Sequence, residues 1–221
     1  MAHAFFLGVD AVPSDDEGHD VTYALFEKSS DGDELSYRLD QIRRHSTVTS
    51  ADELANHLQG LVADQPYIGR TSLIINRKIA FGRALLDALD DRGLDAVAAT
   101  LSDGTGVTAG DDEIGVHIGG IDAVRTLADL YRERRLSFPS HTTEEASHLA
   151  RDVQALAEQL DEADGDIEAL GESTSGPSFD PEATHVTSAA LAVWLGSERS
   201  FDPSQHLKES PQTGSSLGGA G

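Results

Sequence analysis

No cysteine occurs in the chain, which excludes disulfides and thiolate metal ligation. Lysine is nearly missing too, because 13 of the 16 basic residues are arginine and the only lysines are Lys28, Lys78 and Lys208. No apolar run approaches the ~20 residues that a membrane span requires, and the opening MAHAFFLGVD has neither a basic leader nor a long apolar stretch. These absences lead us to expect no membrane partner and a soluble protein that is intracellular or part of a particle. No GxxxxGK[ST] loop occurs, so ATP hydrolysis by a Walker A route is excluded. The nine histidines show no HxxxH or HxH spacing, which points away from a zinc site.

Acid is abundant instead. There are 39 Asp and Glu against 16 basic residues, a formal net charge of -23. The acids are spread through loops (Ser14 to Glu17), helix faces (Asp87, Asp90, Asp91) and the C-terminal region, with no single acidic block. Such spreading fits a surface adapted to concentrated salt, where carboxylates hold water and mutual repulsion is screened. In such an environment weak basic patches do not forbid nucleic acid as a partner.

A length of 221 residues suits one substantial domain, expected over residues 1–196 and followed by a flexible polar tail over 197–221. Alternation and turn signals predict three strands, Ala4 to Val12, Val21 to Ser29 and Leu35 to Arg44, joined as an antiparallel meander. Ser50 with Glu53 forms a capping box for a helix carrying Leu54, Leu58, Leu61 and Val62 on one face. TSLIIN (71–76) reads as a buried strand, 79–92 as a helix facing inward through Ala84, Leu85, Ala88 and Leu89, and 94–101 as a strand parallel to the fourth. Beyond a Gly-rich acidic stretch (102–113) lie an extended piece (114–118), a helix (121–135) and a second extended piece (136–139). A long helix capped by Thr142 or Thr143 carries Ala146, Leu149, Val153, Leu156 and Leu160, and a last helix spans 181–196 and holds the only tryptophan, Trp194. The expected fold class is α/β: a mixed five-stranded sheet, three antiparallel strands then two parallel, flanked by helices.

This element order resembles the ribonuclease H-like fold. The run GVD followed by DVTYALFE, the segment IDAVRTLADLYRERRLSFP before a long helix, and the closing SAALAVWLG are similar to the C-terminal nuclease domain of tailed-virus large terminase subunits. In that family, acids on the first strand, fourth strand and last helix hold two divalent cations, Mg²⁺ or Mn²⁺, that activate water against a phosphodiester. The resemblance implies that Asp10 occupies the first of these positions, as catalytic and metal-binding residue. Asn76 stands at the fourth-strand position, and Thr184 and Thr187 stand on the last helix, so the expected charge is missing from two of the three elements. Asp20, Asp180 and Glu182 lie near enough in sequence to act as substitutes. The implied function is a catalytically inactive binding or assembly component of a halophilic virus, with viral assembly proteins or DNA as partners and no cofactor. An active two-metal nuclease and a structural virion protein are the alternatives.

Each singled-out residue also has a plain structural reading. Asp10 is either a site residue or a strand-end carboxylate bonded to loop amides. Arg77 and Lys78, after a buried strand at the end where α/β sheets bind ligands, are either nucleic-acid contacts or solvated cations beside a helix cap. Arg125 and the RERR run (Arg132 to Arg135) are either phosphate contacts or, with RERR at a helix C-terminus, a solvated face. His185 adjoins the altered ligand positions. Trp194 reads as core.

Overall fold

The computed structural model describes residues 3–15, 17–31, 34–102, 105–109, 115–139, 143–162 and 183–199. Eight strands form one sheet: β1 (His3–Pro13), β2 (His19–Asp31), β3 (Glu34–Val48), β4 (Thr71–Asn76), β5 (Ala96–Ser102), β6 (Val107–Ala109), β7 (Val116–Gly119) and β8 (Leu136–Ser137). Their spatial order is β6-β7-β5-β4-β1-β2-β3-β8. The β1–β2, β2–β3 and β6–β7 pairs are antiparallel, and the remaining pairs are parallel. The mixed α/β class is as expected, with eight strands rather than five.

The three additional strands are short. The stretches 114–118 and 136–139 read as extended without evident partners, and β6 lies inside a segment read as loop. β8 joins the sheet because Arg134 turns the chain with a positive φ of 59°, after which the Tyr37 N–H donates to the Arg135 carbonyl at 2.6 Å. A turn made by an arginine has no glycine to announce it.

Among the described residues, five helices pack against the sheet: α1 (Ala51–Ala63), α2 (Ala80–Asp90), α3 (Gly120–Arg132), α4 (Glu144–Glu162) and α5 (Thr184–Glu198). Among the described residues, no helix is long and apolar enough to cross a membrane. Ser50 accepts from the Glu53 N–H, and Thr143 accepts from the Ala146 N–H, so both caps sit where the sequence places them. Alternation divides β1 between two cores. Phe5, Leu7, Val9 and Ala11 face α1 and α2, while Ala4 and Phe6 face α3, α4 and α5. Ala84 is exposed, contrary to expectation, because Phe81 and Gly82 take the inward turn of α2. Trp194 is core, 6% exposed.

α5 is buried at 12 of its 15 positions, which makes it a core helix rather than a covering one. It continues through Ser197 and Glu198, into the stretch expected as tail. Small residues let it press onto β1: a Cβ on Gly8 would lie 2.1 Å from the Ser188 carbonyl oxygen and 2.8 Å from the Ala192 nitrogen. Its C-terminus is held by Lys28, 1% exposed, whose Nζ donates to the carbonyls of Gly196 at 2.7 Å and Arg199 at 3.0 Å. Those are carbonyls the helix itself leaves unpaired, at the end of its dipole that favours a cation. Burial lowers the Lys28 pKa, with the Arg135 charge as a smaller cause.

Gly8→Ala should destabilise the protein by about 3 kcal/mol, at the upper end of the cost of overpacking, since backbone rather than side chain blocks the new methyl. Urea denaturation checks this; a loss under about 0.5 kcal/mol would mean that α5 can shift freely. Raising KCl from about 0.1 M to about 1 M shortens the screening length from about 10 Å to about 3 Å, so the thermal midpoint should climb with salt. A flat profile in scanning calorimetry would contradict salt adaptation.

Candidate functional site

Asp10 sits where three elements meet. Parity along β1 turns Phe6, Gly8 and Asp10 toward α5, the antiparallel register sets Asp10 opposite Thr22, and the Val9–Ile75 pair leaves Asn76 at the adjacent end of β4. The first turn of α5 adds Thr184 and Thr187. Asp10, Thr22, Asn76, Thr184 and Thr187 are all buried, at 5%, 1%, 8%, 2% and 6% exposure. Four of these positions were singled out from sequence, and the fold brings them together.

Their hydrogen bonds fall into two groups, one around Asp10 and one between Thr22 and Thr184. The Asn76 amide Nδ2 donates to Asp10 Oδ1 at 2.8 Å, and Asn76 Oδ1 accepts from the Lys78 N–H at 3.1 Å. The hydroxyls of Thr22 and Thr184 are 2.7 Å apart. The Ala11 N–H and the Thr187 hydroxyl also bond to the Asp10 carboxylate. Gly82 lets α2 start against the end of β4, because a Cβ there would be 2.1 Å from the Asn76 carbonyl oxygen. Thr22 is the residue that sequence reasoning missed; its signal was a polar side chain in register with the inward Ala24 and Phe26.

Burial pushes the Asp10 carboxyl up to about 6, while the Asn76 bond, the Ala11 N–H, the Lys78 charge and the Thr187 bond pull it down. Lys78 therefore acts on Asp10 through its charge. Arg77 Nε donates to Thr100 Oγ1 on β5 at 3.2 Å, so this cation lies at the carboxyl end of the parallel strands.

Asp20 is engaged elsewhere. Its carboxylate pairs with Arg44 at 2.6 Å and accepts from the Thr47 N–H at 3.2 Å, and the Arg44 bond is the main cause of its lowered pKa. Asp180 and Glu182 lie outside the described residues. His185 pairs with Asp152 at 2.6 Å and clasps α5 to α4. Arg125 and Arg132 both pair with Asp129, and Arg135 pairs with Glu133, which matches the solvated-face reading of RERR.

A hard divalent cation needs several anionic or carbonyl oxygens around one point. Here one carboxylate faces an amide N–H₂, and hydroxyls and an ammonium complete the surroundings. Among the described residues, no group of three or more His, Asp or Glu converges as metal ligands. Among the described residues, the donor set around Asp10 does not fit a two-metal centre.

The raised pKa has a consequence for stability. An ionised Asp10 is disfavoured in the folded state, so its contribution is intact below the unfolded pKa of 3.8 and is lost as the pH climbs toward about 6. The loss is on the order of 3 kcal/mol. Asp10→Asn has no such titration, so the variant should gain on the wild type by that amount between about pH 4 and pH 7. Paired urea titrations read the difference, and a constant offset would show that Asp10 does not titrate there.

Comparison with known protein families, with curated proteins and with solved structures gives no match to this chain.

Proposed function

We propose that this chain is a ribonuclease H-like domain, similar to the terminase nuclease domain, that does not cut nucleic acid and works by binding protein or DNA in the assembly of a halophilic virus. The observation that carries this reading is the 2.8 Å bond from the Asn76 amide to Asp10, which puts a hydrogen-bond donor where a catalytic centre needs a shared cation. The spatial order β3-β2-β1-β4-β5, with β2 antiparallel to its neighbours, supports the resemblance.

Arg77 and Lys78, at the carboxyl ends of β4 and β5, are the groups we assign to a phosphate backbone. Against a net charge of -23 they act only where salt screens the surrounding acids. The active alternative needs Asp180 or Glu182 to supply the missing carboxylates, since Asp20 is held by Arg44. A structural role in the virion remains the third reading; many copies in purified particles would favour it over a packaging factor.

Purified protein with Mg²⁺ or Mn²⁺ in high salt should leave plasmid DNA intact. Rapid metal-dependent cutting that Asp10→Ala abolishes would overturn the reading.

A further inference from the structure

On the opposite face of the sheet, Tyr23 of β2, His45 of β3 and His57 of α1 form a triangle of rings. Their centroids are 5.2 Å apart for His45–His57, 5.7 Å for Tyr23–His45 and 5.8 Å for Tyr23–His57. The Tyr23 hydroxyl is 3.3 Å from His57 Nε2, and His45 Nε2 is buried with no hydrogen-bond partner among the described residues. A buried ring nitrogen without a partner is uncommon enough to require a cause, and an ion is one of the few available. We propose that Tyr23, His45 and His57 form a site for a divalent transition metal of zinc type, with two imidazole nitrogens and one phenol oxygen as ligands.

The distances fit that geometry. Ligand atoms about 2.0–2.1 Å from a tetrahedral ion are about 3.3 Å apart, and two imidazoles so bound have centroids about 5.2 Å apart. A bent phenolate on the same ion places its ring about 6 Å from each imidazole, close to the separations observed. Imidazole nitrogens select zinc, copper or nickel over magnesium, which separates this site chemically from Asp10. Burial lowers the pKa of His45, with His57 and Arg43 as further causes, so its ring is neutral and holds a free lone pair at neutral pH. Burial raises the Tyr23 pKa; the Arg43 charge lowers it, and a bound cation would lower it further. His57 is exposed and provides an entry path, whereas Tyr23 closes the base at 1% exposure. The three ligands come from three elements, so no local spacing in the sequence reveals them.

Cobalt(II) titration of the full chain in about 1 M KCl, where the scattered carboxylates are screened, provides the test. We expect about one equivalent to bind with the intense visible absorption of a four-coordinate ion, and zinc to displace it. His45→Gln and His57→Gln should each weaken binding by at least about tenfold, Tyr23→Phe should remove the phenolate contribution, and His148→Gln should leave binding unchanged. Circular dichroism of the His57→Gln variant, altered at an exposed position, separates lost ligation from lost folding. A pale six-coordinate spectrum in the wild type, or undiminished binding by folded His57→Gln, would overturn the site. Neither result bears on whether the Asp10 face cuts DNA.

Discussion

The structure depends on one close approach, that of α5 onto β1 at Gly8. Backbone meets backbone there, with no room for a methyl group between them. The helix is buried nearly all round, and side-chain hydrogen bonds tie both of its ends to the sheet. At its start, the Thr184 hydroxyl meets Thr22 and Thr187 bonds to Asp10; at its end, Lys28 supplies an ammonium to the last carbonyls. A buried lysine is costly unless paired. Its two carbonyl acceptors and the helix dipole offset that cost, which explains why a chain so poor in lysine keeps one in its interior.

The same approach gives the Asp10 cluster its character. A carboxylate under a tightly docked helix is removed from water, and its neighbours supply hydrogen-bond donors in place of further negative charge. Thr22, Asn76, Thr184 and Thr187 thereby act together as a polar seam that joins β1, β2, β4 and α5. Such a seam ties four elements together through hydrogen bonds between their polar side chains. Arg77 and Lys78 follow β4 beside this seam, and the Lys78 charge acts on Asp10.

Much of this was legible in the sequence. The strand periods of β1, β2 and β4, the caps at Ser50 and Thr143, and the Ala- and Leu-rich α5 carry their signals in local residue order. Asp10 and Asn76 close apolar strand runs and stand out in the residue order, whereas Thr184 and Thr187 were singled out only by the family resemblance. The short strands carry no such signal, because pairing rather than propensity makes them: β8 is two residues long and is directed by the left-handed turn at Arg134. The inward choice of Phe81 over Ala84 was likewise set by packing against the sheet. Tyr23, His45 and His57 are separated in sequence and meet only through the register of β2 and β3 and the docking of α1.

The position of α5 also bears on how the protein is made. It is the last described element in the chain, yet it packs on the first strand. While a ribosome extends the polypeptide, the sheet face that carries Phe6, Ala24 and Phe26 lacks the α5 part of its cover until about the time residue 199 has emerged. Contacts of such long sequence separation close slowly, and uncovered apolar strands invite association between nascent chains. A net charge of -23 opposes contact between those chains during the interval, so the acidity of the chain also protects an unfinished fold.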